Sequence, residues 1–66
     1  MQQQTRHYLL RGCGPDQTLT AETPERLTAE LTHHAWTQDR DTLERVSREA
    51  WREGEAGHGC WELRRA

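Results

Sequence analysis

The sequence predicts a small α+β protein in which a small antiparallel sheet, with the element order β-β-α-α-β, carries a helical hairpin packed on one face. Two kinds of observation predict this class. Apolar residues alternate with polar ones near both ends of the chain, as in half-buried strands, and recur at helical spacing in the middle. Between these segments lie proline, glycine and helix-capping residues, which are typical of turns and helix ends.

The first two strands form a predicted hairpin. Residues 6–12 read RHYLLRG and combine an apolar centre with a terminal glycine, which is a strand pattern. Residues 12–16 read GCGPD, where glycine permits positive φ, proline presets φ and aspartate can bond to the backbone. Residues 18–21 then alternate polar and apolar side chains, so a loop of about five residues joins two antiparallel strands.

Two helices are predicted next. Thr23 before Pro24 is a helix start, because threonine caps free N–H groups and proline suits the first helical position. The apolar face of this helix is formed by Leu27, Leu31, His34 and Ala35. Residues 37–39 end it and cap the second helix, which stops near Gly54 or Gly57. The apolar face of the second helix is formed by Leu43, Val46, Ala50 and Trp51.

The last predicted strand covers residues 58–65. Trp61 and Leu63 lie on one side of it, and the other side carries Cys60, Glu62 and Arg64. A helical hairpin returns the chain to the end of the sheet where the first strand finished. We therefore expect the last strand to run antiparallel beside the first. Leu9 then lies exposed on the outer face of the sheet, which suggests a surface that a partner covers.

Length and composition limit what the chain can be. Sixty-six residues allow one domain, expected over residues 5–66 after a flexible N-terminus at residues 1–4. Leucine, valine, isoleucine and phenylalanine total only 8 of 66 residues, so the core is thin and help from a partner is expected. A homodimer formed by joining sheet edges fits that need.

The sequence carries no sign of export or membrane insertion. No segment has the pattern of a signal peptide, and no apolar run reaches the roughly 18 residues of a membrane span. Two cysteines are too few for a secreted disulfide scaffold. We therefore expect a reduced cytoplasmic protein without a membrane partner.

Cys13 and Cys60 are the candidate redox residues. They fall in glycine-rich turns that the predicted topology brings near each other, so ordinary small residues, a disulfide or a metal-linked switch with His58 all stay open. The spacing lacks the paired ligands of zinc sites, and we expect no metal and no cofactor. A Cys/His pair here also lacks an orienting group and an oxyanion hole, so we expect no catalysis.

All nine basic residues are arginines. On the second helix, the stripe opposite the apolar face is formed by Arg45, Arg48 and Arg52. This stripe is either a solvated charged face or a set of contacts to phosphates or to an acidic protein surface. An alternative function, nucleic-acid binding, would use Arg6, Arg11, Arg64 and Arg65. The net charge of −2 disfavours that alternative, because affinity for phosphate backbones is largely electrostatic.

The three tryptophans divide between the core and a candidate interface. Trp51 and Trp61 fall on core faces, whereas Trp36 lies opposite the leucine stripe of the first helix. Trp36 either folds under the interhelical turn or anchors an interface, where tryptophan is preferred.

We therefore expect a small non-catalytic protein-binding regulator or inhibitor that acts by steric occlusion, with Trp36 and Leu9 as apolar anchors. By its size and the absence of a recognisable active site in the sequence, it is comparable to phage or mobile-element accessory proteins such as anti-CRISPR proteins.

Overall fold

The computed structural model describes residues 4–12, 14–34 and 39–66, which form a sheet layer and a helix layer. The elements in chain order are β1 (Arg6–Arg11), β2 (Gln17–Ala21), α1 (Pro24–His34), α2 (Arg40–Glu53), β3 (Glu55–His58) and β4 (Trp61–Arg65). The predicted α+β class and the predicted order of strands and helices are confirmed. The predictions made for Cys13, Ala35 and Trp36, for residues 37–38 and for most of the flexible N-terminus fall on residues outside the described ranges.

All strand pairs of the sheet are antiparallel, and the strand order is β2-β1-β4-β3. Strand β1 pairs with β4, with Leu10 opposite Leu63, which confirms the expected placement of the last strand beside the first. The edge strands are β2 and β3.

The chain after α2 differs from its prediction. The segment predicted as one strand over residues 58–65 contains the last residue of β3, a turn at Gly59 and Cys60, and β4, so the chain after α2 forms a two-stranded hairpin. Gly59 has a φ of 63°, a conformation that glycine adopts without steric cost. Strand β3 escaped sequence analysis because its four residues, EAGH, include only one buried side chain, that of Ala56.

The helix ends are capped as the sequence predicts. The hydroxyl of Thr23 accepts a hydrogen bond from the backbone N–H of Arg26 at 3.1 Å. Asp39 is the N-cap of α2, and its carboxylate accepts from the N–H of Thr42 at 2.8 Å. Gly54 ends α2 with a φ of 94°, and its N–H donates to a carbonyl in the preceding turn. These caps fix the start of α1 and both ends of α2.

The core lies between the two layers and is filled mainly by alternate strand residues and one face of each helix. Its buried residues are Tyr8, Leu10, Leu19, Ala21, Leu27, Leu31, Leu43, Val46, Ala50, Ala56, Trp61 and Leu63. Trp61 is therefore a core residue as predicted, whereas Trp51 is only partly buried and packs against the edge of this cluster. No helix within the described ranges is long and apolar enough to cross a membrane.

Candidate functional site

The outer face of the sheet is the first candidate site. Because side chains alternate along a strand, β1 sends Tyr8 and Leu10 toward the helices and Leu9 to the opposite face. Leu9 lies opposite Thr18 of β2 and Arg64 of β4, in the middle of that face. In the described part of the chain, both helices pack on the other side of the sheet. Leu9 therefore lies on the outer face as the sequence predicts, but it is half-buried there and not fully exposed, on an otherwise polar surface.

Charges of both signs surround Leu9. Arg11 lies 3.7 Å from the carboxylate of Asp16, and Arg64 lies 3.8 Å from the carboxylate of Glu55. All four side chains are more than half exposed, so these ion pairs contribute little to stability. Their positions instead give the outer face a mixed charge, with no large area of a single sign.

The three arginines predicted as contacts lie in the other layer. Arg45, Arg48 and Arg52 are exposed on α2, which packs on the inner face of the sheet. Arg45 lies 3.1 Å from Nδ1 of His58, and Arg52 pairs with Glu53 at 3.0 Å. The structure therefore does not bring these arginines together with Leu9. They form a separate candidate surface, and Trp36 lies outside the described residues.

A groove between α1 and α2 has a volume of about 480 Å³. Its lining includes Ala29 and Leu43 as well as Arg40, Glu44 and Arg48. Arg40 and Glu44 form an ion pair at 3.2 Å, which ties two of the charged side chains to each other. The groove thus offers a mixed surface in which Arg48 is the one predicted contact residue.

A second cavity, of about 450 Å³, lies at the end of the sheet where the two hairpin turns meet. Gly12 packs so closely here that a Cβ atom would lie 2.3 Å from the carbonyl oxygen of Cys60. Cys60 is an exposed free thiol, while Cys13 is outside the described ranges. Within those ranges, no group of three or more His, Cys, Asp or Glu side chains is arranged to hold a metal ion.

A cluster of arginines and aromatic rings at the opposite end of the sheet was missed by sequence analysis. The guanidinium carbon of Arg6 lies 4.0 Å from the ring centroid of Trp51, and this ring stacks on Tyr8 at 6.1 Å. Arg6 and Arg65 both donate hydrogen bonds to the backbone oxygen of Trp51. The sequence did contain one indication of this cluster. Strand alternation places Arg6 on the same face as the buried Tyr8, where a charged residue needs a partner.

Among the described residues, the carboxyl of Asp39 is the group with a clear shift in pKa. Hydrogen bonds from the side chain and the backbone N–H of Thr42 hold its pKa below the ordinary value of 3.8. The positive charges of His58 and Arg45 lower the pKa further, by smaller amounts. Because the carboxylate caps α2 at an exposed position, this shift is explained by helix capping and does not indicate an active site.

The chain matches no protein-family model, and it matches neither a curated protein nor a solved structure. Its class is defined by its own geometry: a two-layer α+β protein with helices on one sheet face and Leu9 among charges on the other.

Proposed function

We propose that the protein is a small non-catalytic regulator or inhibitor that binds another protein through the outer face of its sheet and acts by steric occlusion. The observation that supports this most is Leu9, a partly buried leucine at the centre of a sheet face that the described elements leave uncovered. Leaving this leucine in water forfeits part of the free energy that its burial would supply. A partner that covers the face recovers it.

The surroundings of Leu9 fit a protein partner. Protein interfaces combine an apolar centre with a polar rim, and here the rim contains Thr18, Arg11 and Arg64. The ion pairs at this rim are exposed and weak, so their members can exchange partners at little cost. Occlusion needs no chemical step, only a stable surface that covers the partner's own site.

Affinity capture from the native host tests this proposal with a pair of matched variants. The Leu9→Asp variant places a charge in the centre of the outer face, whereas Arg48→Glu changes the exposed side of α2 and leaves the sheet unaltered. We expect wild type and Arg48→Glu to retain the same partner and Leu9→Asp to lose it. Retention by Leu9→Asp with loss in Arg48→Glu would move the interface to the helix layer. If both variants retain the partner, neither the outer sheet face nor the exposed side of α2 is the interface.

Occlusion itself is tested with the captured partner. Inhibition of the partner's activity should follow the fraction bound and should be absent with Leu9→Asp. Trp36→Ala belongs to the same experiment, because Trp36 is the other predicted anchor. Unchanged affinity with an intact circular dichroism spectrum removes Trp36 as an anchor.

Nucleic-acid binding is less well supported. Of the four arginines in that hypothesis, Arg11 and Arg64 lie beside carboxylates on the outer face, while Arg6 and Arg65 point to the helix layer. The set is therefore divided between two surfaces. A salt titration with a random duplex separates the hypotheses, because binding to phosphates falls steeply with salt. Absence of binding to the duplex at low salt excludes the nucleic-acid hypothesis.

A thiol switch is a second candidate, favoured by the contact of Gly12 with the backbone of Cys60. Cys13 follows Gly12 in the chain, and Cys60 is the thiol with which it would form a disulfide. Oxidised glutathione would accept the two hydrogens of the thiols, and the protein mass would fall by about two daltons. An unchanged mass under these conditions, and no bound zinc in native mass spectrometry, would exclude a switch.

The expected homodimer stays a prediction. Strands β2 and β3 carry the unpaired backbone groups at the edges of the sheet, where a second copy could pair. Sedimentation velocity over a range of protein concentrations measures this association directly.

A further inference from the structure

We propose that Arg6 and Arg65 form an oxyanion site that receives carboxylates from an acidic segment of a partner protein, beside the ring of Trp51. This inference rests on the proposed protein-binding function in that the ligand belongs to a protein. It concerns a different surface from Leu9, at the end of the sheet where α2 finishes.

The two guanidinium groups converge on one atom. Arg6 donates from Nη1 to the backbone oxygen of Trp51 at 2.9 Å, and Arg65 donates from Nη2 to the same oxygen at 3.0 Å. The two nitrogens cannot be farther apart than the sum of these distances. Each guanidinium has five N–H donors, so one shared carbonyl satisfies only a small part of the pair. Two like charges are therefore held together without a full complement of acceptors.

Counter-charge for this pair is not supplied by the described residues. Neither Arg6 nor Arg65 lies within 4.0 Å of a carboxylate in the described ranges, unlike Arg11, Arg26 and Arg64. The carbonyl of Trp51 lies in the last turn of α2, where the helix dipole is negative, and this explains why two cations gather here. The partial negative charge of a helix end balances only part of the two positive charges of Arg6 and Arg65. An external anion would supply the remaining negative charge.

Both guanidinium groups already contact aromatic rings of the fold. Arg6 stacks on the ring of Trp51, and Arg65 lies 6.0 Å from the ring centroid of Tyr8. Tyr8 is fully buried and stacks on Trp51, so the platform beneath both guanidinium groups is part of the core. Side chains that are already fixed lose less conformational entropy on binding. Planar guanidinium forks also match carboxylates in a bidentate manner.

The neighbouring charges favour a short acidic peptide segment over nucleic acid. Glu53 and Glu55 flank the end of α2, and the whole chain carries a net charge of −2. A nucleic-acid backbone would run past these acids, whereas one or two carboxylates can bind the arginine pair alone. Nucleic-acid binding also depends on several cations along the phosphate chain, whereas the adjoining Arg52 and Arg64 are each paired with a glutamate.

An NMR titration with a capped tetraglutamate peptide at low ionic strength tests the site. We expect chemical-shift changes at the indole N–H of Trp51 and at the Nε–H groups of Arg6 and Arg65. Arg65→Gln should weaken binding about two- to fivefold, the factor that one exposed charge pair supplies. Arg64→Gln is the matched control, because Arg64 is the preceding residue on the opposite sheet face, and its affinity should stay that of wild type.

Further arms separate a binding role from a structural one. Arg6→Lys and Arg65→Lys keep the positive charge if the glutamine variants unfold, and should bind with intermediate affinity. Capped tetraglutamine should produce no shifts. No shifts with tetraglutamate, or equal weakening by Arg64→Gln and Arg65→Gln, would overturn the proposal. Oligothymidylate binding at this cluster in preference to tetraglutamate would overturn it in favour of nucleic acid.

The outcome is independent of the test of the outer face. Leu9→Asp should bind tetraglutamate as wild type does, whether or not it captures a partner. If wild type captures its partner through Leu9 but shows no tetraglutamate shifts, only the oxyanion site is rejected. If wild type shows the tetraglutamate shifts but capture does not depend on Leu9, only the outer-face interface is rejected.

Discussion

Leu9 and Leu10 are adjacent and chemically identical, yet the sheet gives them opposite environments. Leu10 is 1% exposed between the sheet and the helices, whereas Leu9 lies partly exposed among charged residues. The same division separates Arg64, beside Glu55 on the outer face, from Arg65, whose guanidinium bonds to the end of α2. The inner face therefore provides the burial that stabilises this thin-cored protein, and the outer face contributes little to it.

The largest expected difference is between alanine substitutions at the two leucines. Leu10→Ala should lower the free energy of unfolding by about 2–5 kcal/mol, because it removes buried methyl groups and leaves a cavity. Leu9→Ala should cost less than about 1 kcal/mol, since its side chain already contacts water. Urea denaturation followed by circular dichroism measures both. Equal losses would show that the outer face is packed as tightly as the inner one.

The two glycines of the first turn extend the comparison to the end of the sheet. Both have positive φ, 97° at Gly12 and 91° at Gly14, but only the Cβ position of Gly12 is occupied. Gly12→Ala should cost about 2–4 kcal/mol, from backbone strain plus a clash with the backbone of Cys60. Gly14→Ala introduces only the backbone strain, without a clash, and should lower the free energy of unfolding by about 1–2 kcal/mol. Similar thermal midpoints for the two variants would contradict the close approach of the turns.

Tyr8 differs from Leu10 on the inner face, because removing its hydroxyl group should make the fold more stable. Its hydroxyl is buried and has no hydrogen-bond partner among the described residues. A buried polar group without a partner carries an unrecovered desolvation cost, so Tyr8→Phe should raise the free energy of unfolding by about 1 kcal/mol. The aromatic stack with Trp51 is kept in this variant. A loss of stability in urea would mean that the hydroxyl is satisfied in solution.

The smallest expected effect concerns the cap of the helix layer. Because the folded pKa of Asp39 is lower than its unfolded value, the ionised carboxylate favours the folded state above that unfolded value of about 3.8. This contribution is lost as the pH falls through the folded pKa. Asp39→Ala should therefore lower the thermal midpoint at pH 7 and differ less from wild type near pH 2. Asp39→Ser keeps a capping oxygen and should stay closer to wild type at pH 7. A difference that does not narrow in acid would reject the role of the ionised form.

Sequence patterns predicted those features that depend on neighbouring residues. Alternation in β1 placed Leu9 outward and Leu10 inward, and the caps at Thr23, Asp39 and Gly54 marked the helix ends. The same reasoning failed for β3, because EAGH is short and has almost no apolar alternation. This strand forms because β4 pairs with it, with Ala56 opposite Leu63, and such pairing is tertiary information.

The candidate surfaces were also separated by local patterns. Helical periodicity placed Arg45, Arg48 and Arg52 on the exposed side of α2, and strand alternation placed Leu9 on the sheet face away from the helical hairpin, as the structure has them.

Residue period and capping chemistry act over a few positions, so the order of elements and the inward or outward direction of each strand residue follow from the chain alone. The oxyanion site has a different origin, because Arg6 is 45 positions and Arg65 is 14 positions from Trp51. Only the packing of α2 on the sheet brings these three together. Contacts over such separations depend on the free energy of the whole fold, which no local pattern records.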